Sequence, residues 1–218
     1  MQKFQSDFID LAIFAGALKF GSFTLKSGRQ SPYFFNSGVF YTGEFTVALA
    51  NVFSELIARK LSPEKYDVVF APAYKGIPLC VSVSMSLAKK GINKPWCFNR
   101  KEEKGHGDKG VLVGSPVKDG DRIILLDDVF TTGGAKEEAM AQLQSIAKVS
   151  FPAVFILLDR QEKDNDGKNA IAEFEKKHKT KVYSAITVEE VFEHLKGTKH
   201  ISDAVLYDYK KYKKQYGV

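Results

Sequence analysis

The stretch RIILLDDVFTTGGA, residues 122–135, joins an aliphatic run to two acids, two threonines and two glycines. Ile123–Leu126 form a short continuous apolar run. That pattern marks a strand buried on both faces, as in a parallel sheet covered by helices. From Ala135 onward, Ala139, Leu143 and Ile146 recur at helical spacing, so residues 127–134 are expected to form a strand-to-helix turn. Gly133 and Gly134 permit a sharp turn with bare backbone N–H groups, and the helix aims its positive end into it. Thr131 and Thr132 add hydroxyl donors. Together these make a cradle suited to a phosphate monoester. Asp127 and Asp128 would repel such an anion unless they hold something else, and ribose hydroxyls or hydrated Mg²⁺ fit that role. The plain alternative is that the acids only solvate the turn. The stretch is not a Walker A loop, because G-x-x-x-x-G-K-[ST] is absent.

Outward from this turn, strands and helices alternate. DVVFAP (67–72), PWCFN (95–99), FPAVFILLD (151–159) and KVYSAIT (181–187) read as further strands. Helices are expected over 4–18, 42–61, 77–91, 135–148, 188–196 and 202–214. Gly91 is a natural stop for the third, and Thr187 with Glu190 makes a capping box for the fifth. The aromatic segment FGSFTLKSGRQSPYFFNSG (20–38) reads as two or three short strands and turns. The implied fold class is α/β, a mostly parallel sheet flanked by helices, in one domain without repeats. Ligands of such sheets sit beyond the carboxyl ends of the strands. The segments there are APAYKG (71–76), NRKEEKGHGDKG (99–110), DDVFTTGGA (127–135) and DRQEKDNDG (159–167), all polar.

Composition narrows the class. The 218 residues are 44% hydrophobic and 27% charged, which is globular rather than disordered. No apolar run approaches the roughly 20 residues that span a bilayer. The N-terminus carries Asp7 and Asp10 in its apolar stretch and lacks the layout of a secretory signal. Two cysteines make no disulfide framework, so a reducing cytoplasmic setting is expected. The net charge of +6 favours anionic partners. The C-terminal YKKYKKQY (209–216) reads as a solvated helix face, with nucleic-acid contact as the weaker alternative.

With LKFGSFTLKSGRQSPYFFN (18–36), PAYKGIP (72–78), FNRKEEKGHG (98–107) and LLDRQE (157–162) in this order, the chain resembles the orotate phosphoribosyltransferases along almost its whole length. The resemblance implies the type I phosphoribosyltransferase fold. Residues 1–40 would be an N-terminal helix and small hood, 41–200 the sheet core with a mobile loop at 100–112, and 201–218 a final helix. It implies Mg²⁺-dependent transfer of ribose 5-phosphate from phosphoribosyl diphosphate (PRPP) to orotate, with no nucleic-acid or membrane partner.

Residue by residue, the resemblance assigns Asp127 and Asp128 to the ribose hydroxyls. Val129, Phe130, Thr131, Thr132, Gly133, Gly134 and Ala135 wrap the 5′-phosphate. Lys26, Phe34, Phe35, Thr131 and Arg160 serve orotate, with Arg160 matched to its carboxylate. Tyr74, Lys75, Arg100, Lys101, Lys104 and His106 meet the diphosphate, the last four from a loop that reaches the partner's site in a homodimer. Lys26 also counts among the PRPP contacts, and an unusual peptide before Tyr74 is in keeping. Lys104, His106, Asp127 and Asp128 carry the catalytic work. Mg²⁺ is held mainly by PRPP and water near the two aspartates, with no direct protein ligand.

Taken alone, the same residues have plainer readings. Phe34 and Phe35 read equally as core, Arg160 as a surface ion pair with Glu162, and 100–110 as a solvated loop. His178, His194 and His200 lie in helical or linker stretches. The chain departs from the family pattern at Gly134, where Thr or Ser is usual, at Thr132, where Ala is common, and at Phe130, where a smaller aliphatic is frequent. Gly105 and Lys109 replace acids. Two competing functions remain open on the sequence. One is a purine-base transferase of the same fold, disfavoured by Arg160 and the hood. The other is a non-catalytic nucleic-acid-binding regulator, disfavoured by Lys104 and His106.

Overall fold

The computed structural model describes residues 1–25, 27–100, 111–164 and 166–218. Two sheets are present among them. A hairpin of β1 (Leu18–Thr24) and β2 (Gln30–Phe35) forms the hood. The main sheet holds β3 (Val68–Phe70), β4 (Trp96–Asn99), β5 (Leu112–Gly114), β6 (Ile123–Val129), β7 (Ala153–Asp159) and β8 (Lys181–Thr187), in the order β5-β4-β3-β6-β7-β8. All neighbours are parallel except the edge pair β4–β5.

Alternation along the strands sorts the core into two layers. Val69, Ala71, Ile124, Leu126 and Phe155 face a cluster shared with α1 (Lys3–Phe14), α2 (Gly43–Lys60), α3 (Gly76–Lys89), α6 (Val188–Leu195) and α7 (Asp203–Tyr216). Val68, Phe70, Ile123, Leu125 and Ile156 face the other way, onto α4 (Gly134–Ile146) and α5 (Ala170–His178). Both faces are therefore buried, which is why β6 and β7 read as unbroken apolar runs.

The strand order places the crevice. From β3 the chain runs outward to β4 and β5, then returns to β6 on the opposite side of β3 and continues through β7 to β8. The switch point lies between β3 and β6, so the segments after those two strands lie side by side.

Most expected elements are present, with four differences. β6 continues to Val129, so both aspartates sit in the strand. The edge strand β5 was not expected; Gly114, at φ +99°, lies where a Cβ would come 2.4 Å from the Trp96 carbonyl oxygen. α5 was also not expected, for its nine residues bury only Ala170 and Phe174. Helix α1 stops at Phe14 rather than running to 18, and Gly16 at φ +70° turns the chain into β1. Gly91 at φ +80° follows the end of α3, and the Thr187–Glu190 capping box opens α6, both as the sequence predicts.

Candidate active site

The segment after β3 starts helix α3 directly against the strand end. Gly76 makes that possible, since a Cβ there would lie 2.6 Å from Ala71 Cβ and 2.8 Å from its carbonyl carbon. The Ala73–Tyr74 peptide is cis. Tyr74 and Lys75 are exposed at the mouth. The Ala73 N–H donates to Asn99 Oδ1 (2.8 Å), and Asn99 Nδ2 donates to Gln142 Oε1 (2.8 Å), so β4 and α4 brace this turn.

Beside it, β6 delivers the acidic pair, and each acid has its own ammonium. Asp128 Oδ2 accepts from the Ser37 hydroxyl and from Lys75 Nζ (3.2 Å), while Oδ1 accepts the Val129 N–H (2.8 Å). Burial pushes the Asp128 carboxyl up, but Ser37, Lys75 and the Val129 N–H outweigh it and hold it below its ordinary value. Asp127 Oδ2 pairs with Lys136, and its Oδ1 accepts the Asp128 N–H (2.9 Å). The two carboxylates thus reach the crevice already paired, which lessens their repulsion of an anion.

The turn that follows is built around Phe130. Its side chain is buried against Phe174, with ring centroids 5.2 Å apart, so only its backbone faces the turn. Gly133, at φ +85°, caps α4. A Cβ there would meet Phe130 and Phe174 at 2.9 Å each. Gly134 is open, with only Thr132 Oγ1 near, at 3.7 Å from an added Cβ. A hydroxyl therefore does stand beside the position where the family usually carries one. A cleft of about 430 Å³ is lined by Tyr74, Lys75, Asn99, Arg100, Asp127 and Ala135, among others. Thr132 opens instead onto a second cavity of about 660 Å³, with Glu137, Asp164 and Asp166. Thr131 is exposed at the turn.

The hood contributes aromatic faces. Phe34 is exposed and stacks on Phe23 with centroids 5.6 Å apart, whereas Phe35 is half-buried and packs on the core. Ser37, just past β2, ties this segment to Asp128. Arg160, just past β7, does pair with Glu162, in a half-buried setting rather than on the open surface. Its Nε and Nη2 donate to Glu162 Oε1 at 3.1 and 2.7 Å, and the guanidinium lies 4.6 Å from the Tyr33 ring centroid. Burial opposes its charge, yet Tyr33 and Glu162 more than compensate and raise Arg160 above its ordinary value. The Tyr33 hydroxyl donates to the same Glu162 oxygen at 2.7 Å, and burial pushes its pKa well up. Lys26, Lys101, Lys104 and His106 lie outside the described residues.

A phosphoribosyl transferase domain model matches residues 44–180. The orotate phosphoribosyltransferase of Clostridium acetobutylicum is 40% identical over the full length of both chains. That of Marinobacter nauticus is 45% identical over 90% of each. The chain belongs to the orotate phosphoribosyltransferase family. Among solved structures, the Francisella tularensis orotate phosphoribosyltransferase superposes with a TM-score of 0.85 at 38% identity, covering 97% of this chain and 100% of that one. Family membership gives the type I phosphoribosyltransferase fold, with a sheet in which β6 carries the acidic pair and the glycine turn, and the neighbouring β3 ends in the Ala73–Gly76 turn.

Sequence reasoning missed Lys136, Ser37, Asn99 and Glu162 as parts of this site. Lys136 left a signal. It falls on the same helical stripe as Ala139, Met140 and Leu143, all buried, and sits in the first helical turn, where a cation opposes the macrodipole.

Proposed function

We infer that the protein is an orotate phosphoribosyltransferase that forms orotidine 5′-monophosphate and diphosphate from PRPP and orotate, in pyrimidine synthesis. The observation that carries this reading is the juxtaposition, at one switch point, of PAYKG and DDVFTTGGA in a chain whose relatives share its full length. In the proposed arrangement Asp127 and Asp128 accept from the ribose hydroxyls. Backbone N–H groups of 129–135 and the Thr131 hydroxyl take the 5′-phosphate, and the Thr132 hydroxyl, which opens onto the neighbouring cavity, would join them only from the Gly134 side. Tyr74, Lys75 and Arg100 meet the diphosphate. Phe34, Phe35 and Thr131 line the base, and Arg160 faces the orotate carboxylate while Glu162 holds its Nε edge. Lys26, Lys101, Lys104 and His106 join on the resemblance, the last three, with Arg100, from the loop that a partner subunit contributes.

No group of three or more His, Cys, Asp or Glu side chains suited to a metal is present among the described residues. Both aspartates are paired with lysines, so the donor set fits Mg²⁺ held by diphosphate oxygens and water rather than by the protein directly. Bound there, Mg²⁺ would neutralise charge on the leaving diphosphate. The chain's own residues hold the sugar so that its anomeric carbon faces the orotate nitrogen. As the carbon–oxygen bond to diphosphate breaks, positive charge grows on the ribose ring, and the cationic side chains stabilise the departing anion. No covalent nucleophile is required. No helix is long and apolar enough to cross a membrane among the described residues. Purified protein with PRPP, Mg²⁺ and orotate should release diphosphate and form the nucleotide. Turnover with adenine or hypoxanthine and none with orotate would overturn the assignment.

A further inference from the structure

Lys136 is a charge inside the protein. It is 3% exposed, and its Nζ donates to Asp127 and to the Val129 carbonyl (2.9 Å) while lying 5.0 Å from the Phe130 ring centroid. A buried ammonium is costly unless paired, and the first turn of a helix is the least favourable end for it. Its position is therefore explained by its partner rather than by α4. The other Asp127 oxygen accepts the Asp128 N–H at 2.9 Å, so both oxygens are held and the carboxylate cannot rotate freely. Lys75 makes the contrasting pair with Asp128. Its side chain is 63% exposed at the mouth, against 4% for Lys136. One ammonium can transfer its contact to an arriving phosphate, and the other is fixed.

We propose that Lys136 is a positioning residue for PRPP, an internal counter-cation that fixes the Asp127 carboxylate and screens its charge so that a polyanionic sugar can settle beside it. This rests on reading the crevice as a PRPP site. It is separable from that reading, since failure of the wild-type protein to turn over PRPP and orotate would remove the reading, whereas the following comparison removes only the role of Lys136. Lys136→Met keeps length and apolar bulk but drops the charge. Equilibrium binding of PRPP with Mg²⁺, measured calorimetrically without orotate, should weaken about tenfold or more, with the KM for orotate moving less than about threefold. In an Asp127→Asn background the same substitution should change PRPP affinity by less than about threefold, because nothing is left to screen.

A merely structural lysine would act alike in both backgrounds, and equal weakening in the two would overturn the proposal. So would an unchanged PRPP affinity in folded Lys136→Met. Should Lys136→Met not fold, the neutral pair Asp127→Asn/Lys136→Met against Asp127→Asn alone still decides. Equal PRPP affinity supports the role, and a gap beyond about threefold overturns it.

Discussion

Adjacent glycines in the cradle look equivalent on paper and differ in the molecule. Gly133 sits at φ +85° with Phe130 and Phe174 at 2.9 Å from any added Cβ, whereas Gly134 has only Thr132 Oγ1 within 4 Å, at 3.7 Å. Gly133→Ala must strain the backbone or displace two packed rings. It should cost about 1–3 kcal/mol in urea unfolding and raise the KM for PRPP about tenfold. Gly134→Ala should be neutral or stabilising by up to about 1 kcal/mol, with a much smaller change in KM. Matching losses for the two would show that the turn is not built as described. The sequence reveals that a turn of this kind follows the strand, because glycine pairs after an apolar run have few other uses. It does not reveal which glycine is obligatory, since that depends on Phe174, some forty positions further along. The same holds for Lys136, whose burial is set by a carboxylate in a strand and by the face α4 presents. Its place on the apolar stripe was visible, but a lysine there could equally have snorkelled to solvent.

Elements that bury wide apolar stripes were legible, and those held by neighbours were not. β6 and β7 announce themselves because both faces are covered. β5 has three residues and exists because β4 offers an edge, and α5 buries two side chains and leans on the turn after β6 through Phe130–Phe174. Helix α3 and strand β4 also carry the two thiols, Cys80 and Cys97, both fully buried. Burial pushes each thiol from 9.0 up to about 12. A thiol held protonated by the fold stabilises it below the unfolded value, and that contribution is lost as pH rises toward the folded value. Tyr66 and Tyr209 rise from 10.0 to about 12, also by burial first, and join above pH 10. Stability should therefore be level in these groups up to pH 9 and fall between 9 and 12. Urea midpoints at pH 8, 9.5 and 11 should show a shallower decline in Cys80→Ala/Cys97→Ala than in the parent. An identical slope would mean that the thiols are not shielded. Both thiols are fully buried and held protonated at pH 8, so alkylation should require unfolding.

At the scale of the whole molecule, the described residues hold in one chain the acids proposed for the sugar, the turn proposed for the 5′-phosphate, the aromatic hood and Lys75, while Lys101, Lys104 and His106, assigned by the resemblance to the leaving diphosphate, fall outside them. The resemblance puts those cations in the partner's site, and this has a measurable arithmetic. Lys104→Ala would leave a sound crevice and a defective loop, and Asp128→Asn a defective crevice and a sound loop. Each homodimer should be nearly inactive. In a mixed dimer the Lys104→Ala crevice receives the intact loop of its partner, and the other site receives neither part. One site in two is then whole. Random exchange of subunits gives about half mixed dimers, so about a quarter of wild-type activity should return on mixing. If the loop instead served its own chain, every site in every combination would lack one part, and mixing would restore nothing. Asp128 suits this test because its ties to Ser37 and Lys75 lie within one chain, so the substitution leaves the partner's loop untouched. Recovery on mixing also distinguishes shared sites from simple association, since a dimer with self-contained sites would form equally well and remain inactive.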